Sequence, residues 1–342
     1  MNVETFLLDT PPAGGKPLIM AAKRYTYHMH DERHQEPKDG LTLLMLHGLG
    51  QHKEQWEPII EKLYALRRDS SISSRIREVW SFDWQSHGES AVLNEEALKD
   101  GSGSAPTERW ASAITEFVKS DLVKGHRLIG ISYSSGTIAL MGTTRHFDPD
   151  KCPYAGLILV EPSMMDEEAC NTNKEILSRF ASITKAVTHR LNVWTDRETA
   201  HKYFIGHLPW KTWDSRVTRL FAEYGLKDAK DSEGNACVVR ACPTIHEASA
   251  FQVNLKSAWT GVEQISKLSG LVPIHVVFGE RVDLMPKAIL DSVVDETKGR
   301  KVSSVTRIPG GHTIVQEQPD SVGSTLSHLL DTIQASQIRG RL

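Results

Sequence analysis

The sequence predicts a mostly parallel β-sheet with helices on both faces, interrupted late in the chain by a long helical insertion. Three observations carry that expectation. Short apolar runs such as Leu41–Leu46 and Leu157–Val160 read as strands covered on both sides. They alternate with segments of helical spacing, the pattern of parallel strands joined by crossover helices. Between residues 163 and 271 the alternation stops and the spacing becomes helical and rich in aromatics.

Taken in order, Glu4–Asp9 and Leu18–Tyr27 are candidate strands, and the polar stretch His28–Gly40 reads as a loop. Strand Leu41–Leu46, helix Gln55–Leu66 and strand Arg77–Phe82 follow. Glu89–Pro106, rich in Gly, Ser and acids, reads as a surface loop, after which Thr107 is placed to cap a helix over Glu108–Leu122. Arg127–Ile131 is a strand, Ser135–Arg145 a helix and Leu157–Val160 a strand. The last strands are Pro273–Phe278 and Val302–Ile308, with a helix at Lys287–Asp295 between them and a closing helix over Val322–Ile338. The domain division that follows is a core formed by 1–162 and 272–342, with a helical lid at 163–271. The lid segment shows no strong strand, and its polar break Asp228–Asn235 reads as a loop. Most of its aromatics, Trp194, Trp210 and Phe221 among them, are expected to form its own core, and a segment this large and aromatic implies a roofed apolar pocket.

Four motifs lie in a fixed order along this framework. They are Leu43-Leu-Met-Leu-His47-Gly48-Leu49-Gly50, Ser81-Phe-Asp83-Trp-Gln-Ser-His87-Gly88-Glu-Ser90, Gly130-Ile131-Ser132-Tyr133-Ser134 and Ile308-Pro-Gly310-Gly311-His312. The third fits a nucleophile elbow, G-x-S-x-G, in which a serine at a sharp strand-to-helix turn has its hydroxyl pushed clear of the sheet. Together, over residues 40–335, the motifs resemble those of the α/β-hydrolase family. The sequence departs from the family pattern at Ser86 and Ser134, where glycine is usual.

The resemblance implies a serine hydrolase with Ser132 as nucleophile and His312 as base, since a serine hydroxyl needs a base within hydrogen-bond reach and a third group to orient that base. Two acids compete for the third role. Glu161 ends the apolar run Leu157–Val160, where a minority of the family carries the acid; Asp283 follows the next core strand, one residue later than the usual Gly-x-x-Asp spacing from Gly279. Glu161 is favoured, because a carboxylate ending a buried strand must be paired or catalytic. The expected oxyanion hole is made of the backbone N–H groups of Leu49 and Tyr133. His47, Asp83 and His87 are expected to hold loops rather than to act in chemistry.

A serine at the elbow, where related dehalogenases and epoxide hydrolases carry aspartate, implies acyl transfer to water from an apolar ester, lactone, amide or thioester. Glu161-Pro162, the length of the lid and the tripeptide Gly340-Arg341-Leu342 resemble a fungal subgroup that includes the peroxisomal mycophenolic acid acyl-CoA hydrolase and the AK-toxin biosynthesis type. That subgroup implies an acyl-CoA thioester or a secondary-metabolite ester. The alternatives are a lyase or cyclase of secondary metabolism, or a non-catalytic small-molecule receptor on the same fold.

Bulk properties narrow the partners. The chain has 342 residues, 39% hydrophobic and 24% charged, with a net charge of −3 and no basic stripe, so nucleic acid is not an expected partner. Apolar runs are too short for a membrane span, and the acidic start Met1-Asn-Val-Glu-Thr lacks the features of a signal peptide. Cys152, Cys170, Cys237 and Cys242 fit no zinc spacing and suggest reduced thiols in an intracellular protein. Neither cofactor nor metal is expected. Gly340-Arg341-Leu342 keeps the small, basic, leucine character of a terminal address read by a peroxisomal import receptor, so a peroxisomal or cytoplasmic location is expected.

Overall fold

A computed structural model describes residues 1–10, 16–27, 39–68, 75–99, 106–253 and 255–339. The tripeptide Gly340-Arg341-Leu342 and most of the expected loop His28–Gly40 lie outside the described residues. In chain order the strands are β1 (Asn2–Thr10), β2 (Leu18–Thr26), β3 (Leu41–Leu46), β4 (Ile76–Phe82), β5 (Arg127–Tyr133), β6 (Tyr154–Val160), β7 (Val193–Trp194), β8 (Leu226–Lys230), β9 (Ala236–Arg240), β10 (Ile274–Gly279) and β11 (Ser304–Ile308).

Eight of them form one sheet in the order β1-β2-β4-β3-β5-β6-β10-β11. β2 runs antiparallel to both its neighbours, and the remaining pairs are parallel. The central strands are mostly apolar because each serves two cores. Leu44, Leu46, Leu128 and Leu157 face one side, while Leu43, Met45, Ile129 and Ile131 face the other. Gly130 lies on the first face, where a Cβ would come within 2.7 Å of the Leu140 side chain and 2.9 Å of Leu157. That vacancy lets helix Ser135–Thr144 lie close against β5.

Three local expectations change. Helix Thr107–Lys119 has Pro106 at its N-cap, and Thr107 is its first residue rather than its cap. Two short helices, Gly88–Leu93 and Glu95–Leu98, occupy the start of the stretch expected to be a loop. Strand β5 continues through Ser132 and Tyr133, two residues beyond the expected end.

The segment between β6 and β10 is not purely helical. Beside helices such as Lys174–Thr188, Arg197–Gly206, Ser215–Tyr224 and Leu255–Leu268, it holds a three-stranded antiparallel sheet ordered β7-β9-β8. The stretch expected to be a loop, Asp228–Asn235, supplies three of the five residues of β8 and the turn that joins it to β9. The sequence hid β8 because Lys227, Asp228 and Lys230 are polar, as befits a short strand with little buried surface. Trp194, Phe204, Trp210 and Phe221 form a separate apolar core within the segment.

Candidate active site

Parallel strands bring their C-terminal ends to one edge of the sheet, and there β3, β5, β6, β10 and β11 deliver the conspicuous residues. At the end of β5 the chain turns sharply. Ser134 N donates to Val160 O at 3.0 Å, and Ser134 adopts φ 51°, ψ −124°. A non-glycine residue rarely holds such a conformation without functional cause. Helix Ser135–Thr144 begins immediately afterwards. Gly136 sits where a Cβ would lie 2.5 Å from His47 O and 2.8 Å from Leu46 O, so only glycine lets the helix start this close to β3.

Ser134 is therefore the serine at the turn, and its Oγ lies 2.9 Å from His312 Nε2. Ser132, the candidate from sequence, is two residues too early. It pairs with Leu46 and Leu159 inside the sheet, is fully buried, and its Oγ has no hydrogen-bond partner among the described residues. The strand's alternation sends its side chain to the same face as Gly130, against the helix that follows. Tyr133 moves with the frame. The β5–β6 pairing runs to Tyr133 opposite Val160, so Tyr133 is still in the strand and the residue after the elbow serine is Ser135. Tyr133 instead donates its phenol to His312 O at 3.0 Å, and burial keeps that phenol well above its ordinary pKa and hence protonated.

His312 follows β11 through Gly310 and Gly311. Gly310 has φ +132°, and a Cβ on Gly311 would fall 1.8 Å from Asp283 Oδ2. The His312 ring places Nδ1 2.9 Å from Glu161 Oε2. With the proton on Nδ1, His312 donates to Glu161 and accepts from the Ser134 hydroxyl, which satisfies both contacts. Glu161 leaves β6 with φ 46°, a second non-glycine residue in this region, and its Oε1 also accepts from Gly279 N. Ser134, His312 and Glu161 are all buried.

Asp283 stands behind this set rather than in it. Its Oδ1 accepts from His312 N at 2.9 Å and Leu284 N at 2.6 Å, and its Oδ2 accepts from Arg281 Nε at 3.0 Å. Burial works against ionisation there, but the His312 and Leu284 amides and Arg281 outweigh it and hold the carboxyl below its ordinary pKa. Asp283 thus grips the backbone of the histidine while Glu161 meets its ring.

The loop after β3 passes over Ser134. A Cβ on Gly48 would lie 2.7 Å from the Tyr133 ring and 3.2 Å from Ser134 Cβ, so Leu49 arrives next to the elbow. The Ser135 amide, in the first turn of its helix, is one of the donors that a helix N-terminus leaves free of intrahelical partners. His47 fixes the loop. Its Nδ1 donates to Gly48 O at 2.7 Å and its Nε2 accepts from Trp84 N at 3.1 Å; burial pulls its pKa down to about 3, so the ring stays neutral. Lys53, fully buried, ties the same loop to the β4 turn through Asp83 at 3.0 Å.

Above the edge lies a cavity of about 490 Å³ lined by Leu49, Ser134, Ser135 and His312 on the core side. The segment between β6 and β10 supplies further walls, including Phe180, Trp210, Trp213 and Phe221 and the charged Arg190, Arg240 and Glu247, and the chain after β10 adds Arg281, Asp283 and Glu317. The sequence reading missed that charged group, because its members lie far apart along the chain and only the fold unites them. Among the described residues no helix is long and apolar enough to cross a membrane.

The structure is similar to that of the peroxisomal α/β-hydrolase Lpx1 from Saccharomyces cerevisiae, with a TM-score of 0.75 at 17% identity over 97% of this chain and 88% of that one. It is similar to the thioesterase domain from the curacin biosynthetic pathway, with a TM-score of 0.66 at 15% identity over 97% of this chain and 100% of that one. A thermophilic esterase from Thermogutta terrifontis gives a TM-score of 0.59 at 16% identity over 96% of this chain and 99% of that one. No curated protein matches the chain in sequence. The model of the alpha/beta hydrolase family matches residues 43–323, and with the elbow, the His loop and the sheet order in place, the chain belongs to that family.

Proposed function

We propose that the protein hydrolyses an ester or thioester of an apolar acyl group through a covalent acyl-enzyme, with Ser134 as nucleophile, His312 as general base and Glu161 as orienting acid. The observation that carries this reading is the continuous chain Ser134 Oγ–His312 Nε2–His312 Nδ1–Glu161 Oε2, with both contacts at 2.9 Å, on the floor of an apolar cavity.

The steps follow from that geometry. His312 Nε2 takes the hydroxyl proton as Ser134 Oγ attacks the carbonyl carbon. The carbonyl electrons move to oxygen, where the Ser135 and Leu49 amides are placed to donate, an arrangement worth about 3 kcal/mol per donor in the transition state. Glu161 stabilises the imidazolium and holds Nδ1 protonated. His312 then gives its proton to the leaving alcohol or thiol, and a water deprotonated by His312 releases the acid. Asp283 and Tyr133 position His312 through its backbone.

Residues 163–271 serve as the lid that roofs the pocket, a reading supported by Trp210, Trp213 and Phe221 on the cavity wall. An acyl-CoA thioester is the finer substrate reading, supported by the likeness to a thioesterase domain and by the sequence resemblance to acyl-CoA hydrolases. A peroxisomal location is supported by the likeness to a peroxisomal hydrolase and by the sequence Gly340-Arg341-Leu342.

The test is intact-protein mass after treatment with a fluorophosphonate. One adduct is expected on wild type and on Ser132→Ala, and none on Ser134→Ala. An adduct on Ser134→Ala, or none on wild type, refutes the assignment.

A further inference from the structure

The lid places two guanidinium groups on one carboxylate at the pocket wall. Arg240 Nη2 lies 2.7 Å from Glu247 Oε2, and Arg190 Nη1 lies 3.2 Å from Glu247 Oε1. Arg240 comes from the end of β9 and is only 2% exposed. Its Nη2 also donates to Gly50 O at 3.4 Å, one residue beyond Leu49 in the loop over Ser134. Glu247 presses on the same loop, since a Cβ on Gly50 would come within 2.7 Å of its Oε1.

This set is not balanced. Two cations face one anion, so one positive charge remains in surroundings made of aromatic and aliphatic side chains. Among the described residues the Nε and Nη1 atoms of Arg240 have no hydrogen-bond acceptor. A guanidinium carries five N–H donors, and these two nitrogens hold three of them. Buried donors and buried charge are costly without partners. Holding Glu247 and Gly50 uses Nη2 alone, and the guanidinium lies over the Phe221 ring at 5.8 Å, so the Nε and Nη1 donors are what a purely structural role leaves unexplained. The third arginine on the pocket differs, because Arg281 is taken up by Asp283 at 3.0 Å and Glu317 at 3.0 Å. The cavity is therefore polarised, positive at Arg190 and Arg240 and negative at Asp283 and Glu317.

We propose that the substrate carries a carboxylate in addition to its scissile acyl bond, and that Arg240, assisted by Arg190, holds this group in the pocket and so sets specificity. The proposal rests on the hydrolase reading above and names its substrate class. The carboxylate completes the charge balance of the lid set through Arg190 and Arg240, both on the pocket wall. Because Arg240 also touches the Gly50 carbonyl, an occupied arginine is tied directly to the loop that carries Leu49.

The experiment compares three phenyl esters of matched length. Phenyl hexanoate is neutral, monophenyl adipate carries a carboxylate on the acyl side, and 4-carboxyphenyl hexanoate carries it on the leaving group. In wild type one of the charged esters should exceed the neutral ester in kcat/KM by about tenfold or more, the range of a hydrogen-bonded ion pair. In Arg240→Met, where Glu247 still has Arg190, that advantage should shrink to about threefold or less, while Arg240→Lys should retain part of it. If wild type hydrolyses the neutral ester and neither charged ester is faster, the carboxylate site is refuted while the hydrolase reading stands. An advantage that survives Arg240→Met refutes the role of Arg240. If no ester is turned over and no fluorophosphonate is taken up, the hydrolase reading itself falls, and this one with it. Should Arg240→Met fail to fold, the wild-type ratio still decides whether the carboxylate site exists, and an undiminished advantage in Arg240→Lys refutes the role of Arg240.

Discussion

Replacing Glu161 by Gln should disable the enzyme, whereas replacing Asp283 by Asn should only impair it. In Glu161→Gln the amide has two settings. If its oxygen keeps the Gly279 N–H, its NH2 faces His312 Nδ1, which must then accept, and the ring proton moves to Nε2. His312 then has no lone pair for the Ser134 hydroxyl. If the amide flips, its NH2 opposes the Gly279 N–H and two donors meet. Either way the base is lost or a buried donor is left unmade, and a similar acid-to-amide change in a serine triad costs about 10⁴ in kcat, roughly 5.5 kcal/mol. Asp283→Asn keeps an oxygen for the His312 and Leu284 amides, and Arg281 keeps Glu317. What is lost is one half-exposed charge, about 1 kcal/mol and tenfold at most. The predicted separation between the two variants is therefore about 10³. The assay is burst kinetics on an aryl ester for both variants, with fluorophosphonate labelling rates as a second readout. A larger loss in Asp283→Asn than in Glu161→Gln would refute the argument and make Asp283 the acid.

Other consequences are as direct. Ser132→Ala removes a buried, unpartnered hydroxyl, so turnover should stay within about threefold of wild type and stability should hold or rise by about 1 kcal/mol, read by urea unfolding. Gly136→Ala drives a Cβ against two carbonyl oxygens and should cost about 2 kcal/mol or more, with a matching fall in Tm. His47 is protonated below 6.5 when unfolded but only near 3 when folded, so unfolding takes up a proton between those values. Its contribution is full above pH 6.5 and is lost as pH falls through that window, with a slope of up to about 1.4 kcal/mol per pH unit. His275, brought down to about 4 by burial, acts with the same sign. A pH series of urea midpoints should show the decline, and His275→Gln should flatten it.

The fold was legible because a two-sided core leaves a plain imprint: Leu41–Leu46 is apolar at nearly every position, and the structure has β3 over those same residues. Glu161 and Leu49 could be singled out because each follows such a strand, and His312 because it comes after the last strand through Gly310-Gly311. The elbow was misread for a physical reason. Gly130-Ile-Ser132-Tyr-Ser134 and Ser132-Tyr-Ser134-Ser-Gly136 each depart from the elbow pattern once, by a small residue for a small residue. What separates them is where pairing with β6 stops, a tertiary fact, although the true glycine at 136 was a usable hint. The β8–β9 hairpin and the set of Arg190, Arg240 and Glu247 were hidden for related reasons: one is polar on its open face, the other is scattered along the chain.

The placement of Glu161 before the segment 163–271, and of His312 after it, has a topological consequence. Ser134 and Glu161 precede the exposed turn at 231–235, and His312 follows it. A single cut in that turn yields two pieces, each holding part of the chain of hydrogen bonds. The pieces share the register of β6 against β10, in which Val160 meets Val277 and Glu161 N donates to Val277 O at 2.8 Å. Reassembly of the sheet seam would restore the acid–histidine contact, which makes this chain suited to reconstitution as a split enzyme whose activity reports the meeting of its halves.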